Sequence, residues 1–293
     1  MNILRLLFFK IFIYILIGWV IGRVKGLNVR KHIQYFINVA IYFLFPVFVL
    51  FSVWANNFTP ALLGQISLVA LGVLAGGALL ALVFARIFKV DFRDHSLPII
   101  FANSAYLGIP VSTYIIGPAA TVYAIIFDLT PTLFMFTLGI LLVARENKFR
   151  EAARVPLVYA VLAGLALNLS HVPVNALTNT WVGYLKAITI PLILMFIGYQ
   201  LRPARSAILG RVLTASLFRM AGGLVIAWLL INWFNLQGVA AGVCLLSASM
   251  PCAVNSYVLA QKYQADTEFP AAAIAVSTLL SIPFIAFVSL LIR

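Results

Sequence analysis

The sequence predicts an all-α integral membrane protein of ten transmembrane helices, built as two inverted five-helix repeats in which spans 4 and 9 are broken and both termini lie outside. Three observations predict it. The 293 residues are 64% hydrophobic and 9% charged, and their mean hydropathy is +1.09. That is far from a soluble domain, and apolar runs long enough to cross about 30 Å of hydrocarbon recur along the whole chain. The basic residues that fall in loops occupy alternate loops, and a set of proline and glycine marks recurs in the same order in both halves.

Taken in order, the apolar runs are 6–24, 33–53, 61–85, 97–116, 121–143, 156–171, 178–200, 212–234, 239–261 and 269–291. The first is too long for a signal-peptide core and is read as a retained span. Loop 1–2 carries Arg23, Lys25, Arg30 and Lys31; loop 3–4 carries Arg86, Lys89 and Arg93; loop 5–6 carries Arg145, Lys148, Arg150 and Arg154. Loop 7–8 adds Arg202, Arg205 and Arg211, and loop 9–10 adds Lys262, so fifteen of the twenty basic residues share one side. The intervening loops "ANNFTP", "GPAAT", "HVPVNALTNT" and "NLQG" hold none. The positive-inside rule puts the rich side in the cytoplasm, which leaves the N-terminus and the C-terminus extracytoplasmic in a multi-pass protein of the cell inner (plasma) membrane. It also explains the formal charge of +13 without a nucleic-acid partner.

The repeat is written in the helix punctuation. Pro46 in "FLFPVFVLF" pairs with Pro191 in "ITIPLILMF", an offset of 145; Gly76 and Gly77 pair with Gly222 and Gly223, an offset of 146; Pro110 pairs with Pro251, an offset of 141. Each repeat, 1–150 and 151–293, holds five spans, and an odd number forces the second copy to enter from the opposite side.

Spans 4 and 9 carry the candidate site. "FANSAYLGIPV" and "LSASMPCAVNS" interrupt otherwise apolar runs. In lipid an interrupted helix leaves N–H and C=O groups unpaired at several kcal/mol each unless protein, water or a ligand satisfies them. With proline opening the second half of each span, new half-helices are expected at 111–116 and 252–261, presenting amide N–H groups and a positive dipole end to an anion. Around these ends stand Asn103, Ser104, Tyr106, Gly108 and Pro110 in span 4, and Ser247, Ser249, Pro251, Asn255 and Ser256 in span 9. Asn103 and Asn255 lead this set, because a buried amide demands several partners, whereas Ser and Thr also serve plain interhelical packing.

Asp128, in "YAIIFDLTPTLF", is the only carboxylate far from a loop. An intramembrane acid is a candidate proton carrier, sodium ligand or partner of a buried cation. Lys10, Lys186 and Arg219 are the possible cations, with Lys10 and Arg219 able instead to snorkel to an interface. Cys244 and Cys252 lie in one apolar segment and make neither a disulfide framework nor a CxxC metal site. Enzyme chemistry finds no support. There is one membrane carboxylate where an aspartyl protease needs two, His32, His95 and His171 all lie near span ends, and no metal or cofactor motif occurs.

"NSAYLGIPV" resembles the N-x-x-x-x-G-I-P signature of the auxin efflux carrier family. "SMPCAVNSYVLAQKYQAD" followed by "AAAIAVSTLLSIP" resembles its ninth and tenth spans, and "FLFPVFVL" and "IPLILMFIGYQL" its second and seventh. With only "RENKFREAAR" between the halves, the chain resembles the short prokaryotic type. The resemblance implies a fold related to the bile acid:sodium symporters, with spans 4 and 9 crossing. It further implies a scaffold of spans 1, 2, 6 and 7, and a transport unit of spans 3–5 and 8–10 that moves in elevator fashion. The expected function is secondary active transport of a small organic anion, a mono- or dicarboxylate such as malonate or malate, bound at the crossing by a homodimer. No cofactor is expected beyond H+ or Na+ as coupling ion. A channel or membrane-embedded ligand sensor on the same scaffold, or a sodium-coupled bile-acid-like symporter, is the alternative.

Overall fold

The computed structural model describes residues 2–23, 35, 39, 43–55, 60–144, 156–200 and 206–292. The loops with Lys25, Arg30, Lys31, Arg145, Lys148, Arg150, Arg154, Arg202 and Arg205, and the start of the expected second span, lie outside the described residues. Helices dominate, and no strand occurs among the described residues. In chain order they are α1 Asn2–Arg23, α2 Phe45–Trp54, α3 Pro60–Phe88 and α4 Phe92–Ile100, then a π-helical turn Ser104–Gly108 leading into α5 Ile109–Ile115. Next, α6 Ala120–Phe134 continues through a second π turn, Met135–Gly139, into α7 Ile140–Val143. The second half has α8 Pro156–Leu169, α9 Ala176–Gln200, and α10 Leu209–Leu217, joined through a π turn, Phe218–Gly222, to α11 Gly223–Trp233. It ends with α12 Gly238–Ala248, α13 Val254–Lys262 and α14 Glu268–Leu291.

Among the described residues, five helical stretches are long and apolar enough to cross a bilayer: Ala61–Phe88, Ala120–Val143, Ala176–Tyr199, Leu209–Trp233 and Glu268–Leu291. Shorter apolar helices accompany them, among them Gly238–Ala248. The surface agrees with a lipid solvent, since Leu71, Leu79, Val225, Trp228 and Leu279 are exposed while Ser96, Ser247, Ser277 and Ser281 are buried. This is an all-α, multi-pass membrane protein.

Contacts divide the chain into two compact units, one of Met1–Thr59 with Ala153–Gln200, the other of Pro60–Ala152 with Leu201–Arg293. In the first unit α1 packs along α9 and α2 along α8. A β-carbon at Gly18 would collide with the Met195 carbonyl, and one at Gly198 with the Ile15 carbonyl, so α1 and α9 touch backbone to backbone. Small residues permit this approach, and close packing drives helix association where no hydrophobic effect operates. Asn168 ties α8 to the end of α2 by donating to the Val53 and Trp54 carbonyls at 3.2 and 3.1 Å.

In the second unit α3 packs against α4, α6 and α11, while α12 packs against α6 and α4 against α14. Each broken span therefore rests its first half on an unbroken span from the other half of the chain. Asp91 caps α4 at the basic loop, its Oδ1 accepting from the Arg93 N–H at 2.7 Å.

Candidate functional site

The two interruptions lie side by side. Helix α4 ends at Ile100, and Phe101 is extended, with φ −101° and ψ 123°. Helix α12 ends at Ala248, and Ala253, just before α13, is extended at φ −66° and ψ 130°. Between these ends Ala102 and Cys252 form an isolated antiparallel bridge. The Asn103 N–H donates to the Pro251 carbonyl at 2.8 Å, and the Ala253 N–H donates to the Phe101 carbonyl at 2.9 Å. The Cys252 N–H donates to Ser277 Oγ at 3.1 Å, and the Asn103 carbonyl accepts from Leu107 and Gly108. Each break thus satisfies groups that the other exposes, which removes a cost of several kcal/mol per group at membrane depth.

The proline marks misplace the breaks. Span 4 is interrupted at residues 101–103, and helical winding resumes at Ser104, upstream of Pro110 and of the expected start at 111. Pro110 sits inside a continuous helical run. It cannot donate to the carbonyl of Tyr106, and the wide turn before it, where Ile109 N–H reaches back to the Ser104 carbonyl, gives its ring room. Pro251 does lie within its break, but the new half-helix starts at Val254 rather than 252. The paired residues Ala102 and Cys252 are 150 apart in sequence, not 141.

A small cleft of about 20 Å³ opens beside the bridge, lined by Asn103, Tyr106, Asp128, Thr132 and Asn255 together with apolar neighbours such as Pro131 and Met135. The volume suits about one water molecule. Asp128 is 7% exposed. Its Oδ1 accepts from Ser104 Oγ at 2.6 Å and its Oδ2 from Thr132 Oγ1 at 2.8 Å. Thr132 stands one helical turn along the same face, and Ser104 opens the second half of span 4, so the carboxylate joins span 5 to a helix N-terminus, where negative charge is favoured. Asn103 is 3% exposed, and its side-chain amide nitrogen has no hydrogen-bond partner. Tyr106 Oη donates to Asn255 Oδ1 over a long 3.4 Å, linking the first turns of the two second half-helices.

Of the expected site residues, Asn103, Tyr106, Asn255 and Asp128 meet at this cleft. Ser104 stands behind Asp128 as its hydrogen-bond donor. Gly108, Pro110, Ser249, Pro251 and Ser256 are outside the lining. Gly108 packs near Met250, Ser249 Oγ turns back on the Leu245 carbonyl at 2.5 Å, and Pro251 offers its carbonyl to the bridge. Ser256 and Ser247 are buried with unpartnered hydroxyls. Thr132 was not anticipated; its position one turn after Asp128 was the available signal.

Arg219 neither pairs with Asp128 nor snorkels. It is 1% exposed, and its guanidinium donates to backbone carbonyls: Nη1 to Ile100 at 2.6 Å and Ile99 at 3.3 Å, Nη2 to Ala248 at 3.0 Å. The side chains of Lys10 and Lys186 lie outside the described residues.

A bundle of apolar helices enclosing a polar cleft at two paired helix breaks belongs to the class of multi-pass membrane transport proteins. Comparison with known proteins agrees: the profile of the family described as membrane transport protein matches residues 145–289. An uncharacterized transporter of Methanocaldococcus jannaschii is 26% identical over 295 residues, covering 94% of each chain. An uncharacterized transporter of Methanothermobacter thermautotrophicus is 31% identical over 187 residues, covering 61% of each. The resemblance to the auxin efflux carrier family is borne out by this match and by the transporter relatives, which are consistent with a short, prokaryotic type of transporter.

Proposed function

We propose that this transporter carries a small organic anion, a mono- or dicarboxylate of the malonate or malate kind, by secondary active transport, with the anion bound at the cleft between the two broken spans. The observation that carries the reading is the unpartnered amide of Asn103. A buried donor without an acceptor costs about 1–3 kcal/mol, and a carboxylate oxygen in the cleft would supply the acceptor. The first turns at Ser104 and Val254 add amide groups and positive dipole ends on two sides of it.

Asp128 sets the coupling in this reading. An ionised Asp128 and a substrate carboxylate would share one small cleft, and like charges at such range repel strongly. Loading therefore calls for a proton on Asp128, making the anion and H+ co-substrates. The cleft has room for about one water, so loading also widens it.

The division into Pro60–Ala152 with Leu201–Arg293 and Met1–Thr59 with Ala153–Gln200 supports a transport unit and a scaffold working in elevator fashion. The reciprocal packing of each broken span on a span from the other half supports an inverted repeat. Ten spans, extracytoplasmic termini, an inner-membrane location and a homodimer complete the proposal. Uptake of labelled malonate or malate into proteoliposomes tests it. Saturable, proton-driven uptake is expected; flux that grows linearly with concentration, or single-channel currents, would replace the carrier with a channel.

A further inference from the structure

We propose that Arg219 is a tethered cation filling a carbonyl cage at which both broken spans end, so that the site needs no sodium ion. The inference rests on the transporter reading for its consequence, sodium-independent coupling, and on geometry alone for the cage.

Helices α4 and α12 terminate next to each other, and a helix leaves its last carbonyls without intrahelical partners. Each C-terminus carries about half a negative charge, so the two together present about one. In transporters built from discontinuous helices such carbonyl ends are where coupling Na+ is coordinated. Here one guanidinium reaches the Ile99 and Ile100 carbonyls of the first span and the Ala248 carbonyl of the second. Its single positive charge matches the two half-charges. Arg219 Nε has no hydrogen-bond partner, so the head group is held by these carbonyls and not by a carboxylate.

The surrounding sequence makes space for it. Arg219 sits in the π turn Phe218–Gly222, whose extra residue per turn redirects side chains relative to an α-helix. A β-carbon at Gly223 would collide with both the guanidinium and the Ala248 carbonyl, and one at Gly77 would stand 3.4 Å from Nη1. Gly77 and Gly223, one from each half of the chain, therefore border the cage, whereas a β-carbon at Gly76 or Gly222 would meet Ile226 or Leu80 instead.

The test is thermal unfolding of the purified full chain in detergent, with sodium exchanged for choline at constant ionic strength. The wild type should melt at the same temperature in both. Arg219→Ala should melt lower in choline and recover by several degrees in sodium, lithium or millimolar guanidinium, as the vacated cage takes a free cation. Sodium stabilisation of the wild type would overturn the proposal. So would an Arg219→Ala protein that responds to none of these cations, which would make the arginine a structural strut alone. Should Arg219→Ala not fold, Arg219→Gln carries the same measurement. If neither neutral variant folds, Arg219→Lys must, since a tethered ammonium meets the same requirement; its failure would also refute the proposal. Absence of carboxylate uptake would remove the carboxylate reading while leaving these melting shifts to decide the cage.

Discussion

Asn103 and Asp128 face one cleft with opposite needs, a donor lacking an acceptor and a carboxylate already holding two donors. Removing the orphaned amide costs no hydrogen bond, so Asn103→Ala should melt within about 1 kcal/mol of the wild type, or higher, while losing uptake. A combined melting and uptake assay separates this from misfolding: a large loss of stability would make the amide structural. Asn255→Ala should also abolish uptake, since it removes the facing acceptor and amide at the other half-helix. For Asp128 the sign follows from charge. Uptake by the wild type should rise as the external pH falls, because protonation relieves repulsion of the anion. Asp128→Asn mimics the protonated form, so substrate exchange should persist while the pH dependence flattens; a pH profile unchanged by the substitution would remove Asp128 from coupling. These residues were legible in the sequence because polar side chains stand out in an apolar run. Thr132 was not, since a threonine in a membrane helix serves packing as readily as function.

At the scale of elements, proline proved a poor locator of the helix ends. It marks where an N–H is missing, and a neighbouring π turn absorbs that loss at Pro110 without ending the helix. The breaks are placed by a pairing between residues 150 apart, Ala102 with Cys252, and no local rule contains a partner so distant. The role of Arg219 escaped for the same reason, as its ligands are backbone carbonyls on two other helices. The glycine pairs were legible as marks, but not the part that Gly77 and Gly223 play in bordering the cage. Their function predicts a contrast: Gly223→Ala forces a β-carbon against the Ala248 carbonyl and the guanidinium, and should cost about 2–3 kcal/mol. Gly64→Ala, where nothing stands within 4 Å of the added carbon, should stabilise α3 by about 0.5–1 kcal/mol. Denaturant or thermal unfolding of the two variants side by side checks both signs, and equal destabilisation would mean that the close approach at Gly223 is not what the glycine serves.

For the whole molecule the question is whether one cleft serves both sides of the membrane. The apolar runs read from the sequence agree with the described helices to within a few residues, as for 269–291 against Glu268–Leu291, because lipid leaves a spanning backbone no alternative to the helix. Motion is not written in that pattern. A carrier exposes its site to each side in turn, whereas a sensor or receptor exposes it to one. Ala105 lines the cleft and is 9% exposed, which makes it a suitable reporter once Cys244 and Cys252 are replaced. In the proposed elevator, Ala105→Cys should react with a membrane-impermeant thiol reagent in both right-side-out and inside-out vesicles. Malonate, if it is a substrate, should slow the reaction from both sides by occupying the same cleft. Labelling from one side only would fit a fixed receptor site. Labelling from both sides without substrate protection would fit a continuous pore, because a pore needs no closed intermediate in which the ligand shields the residue.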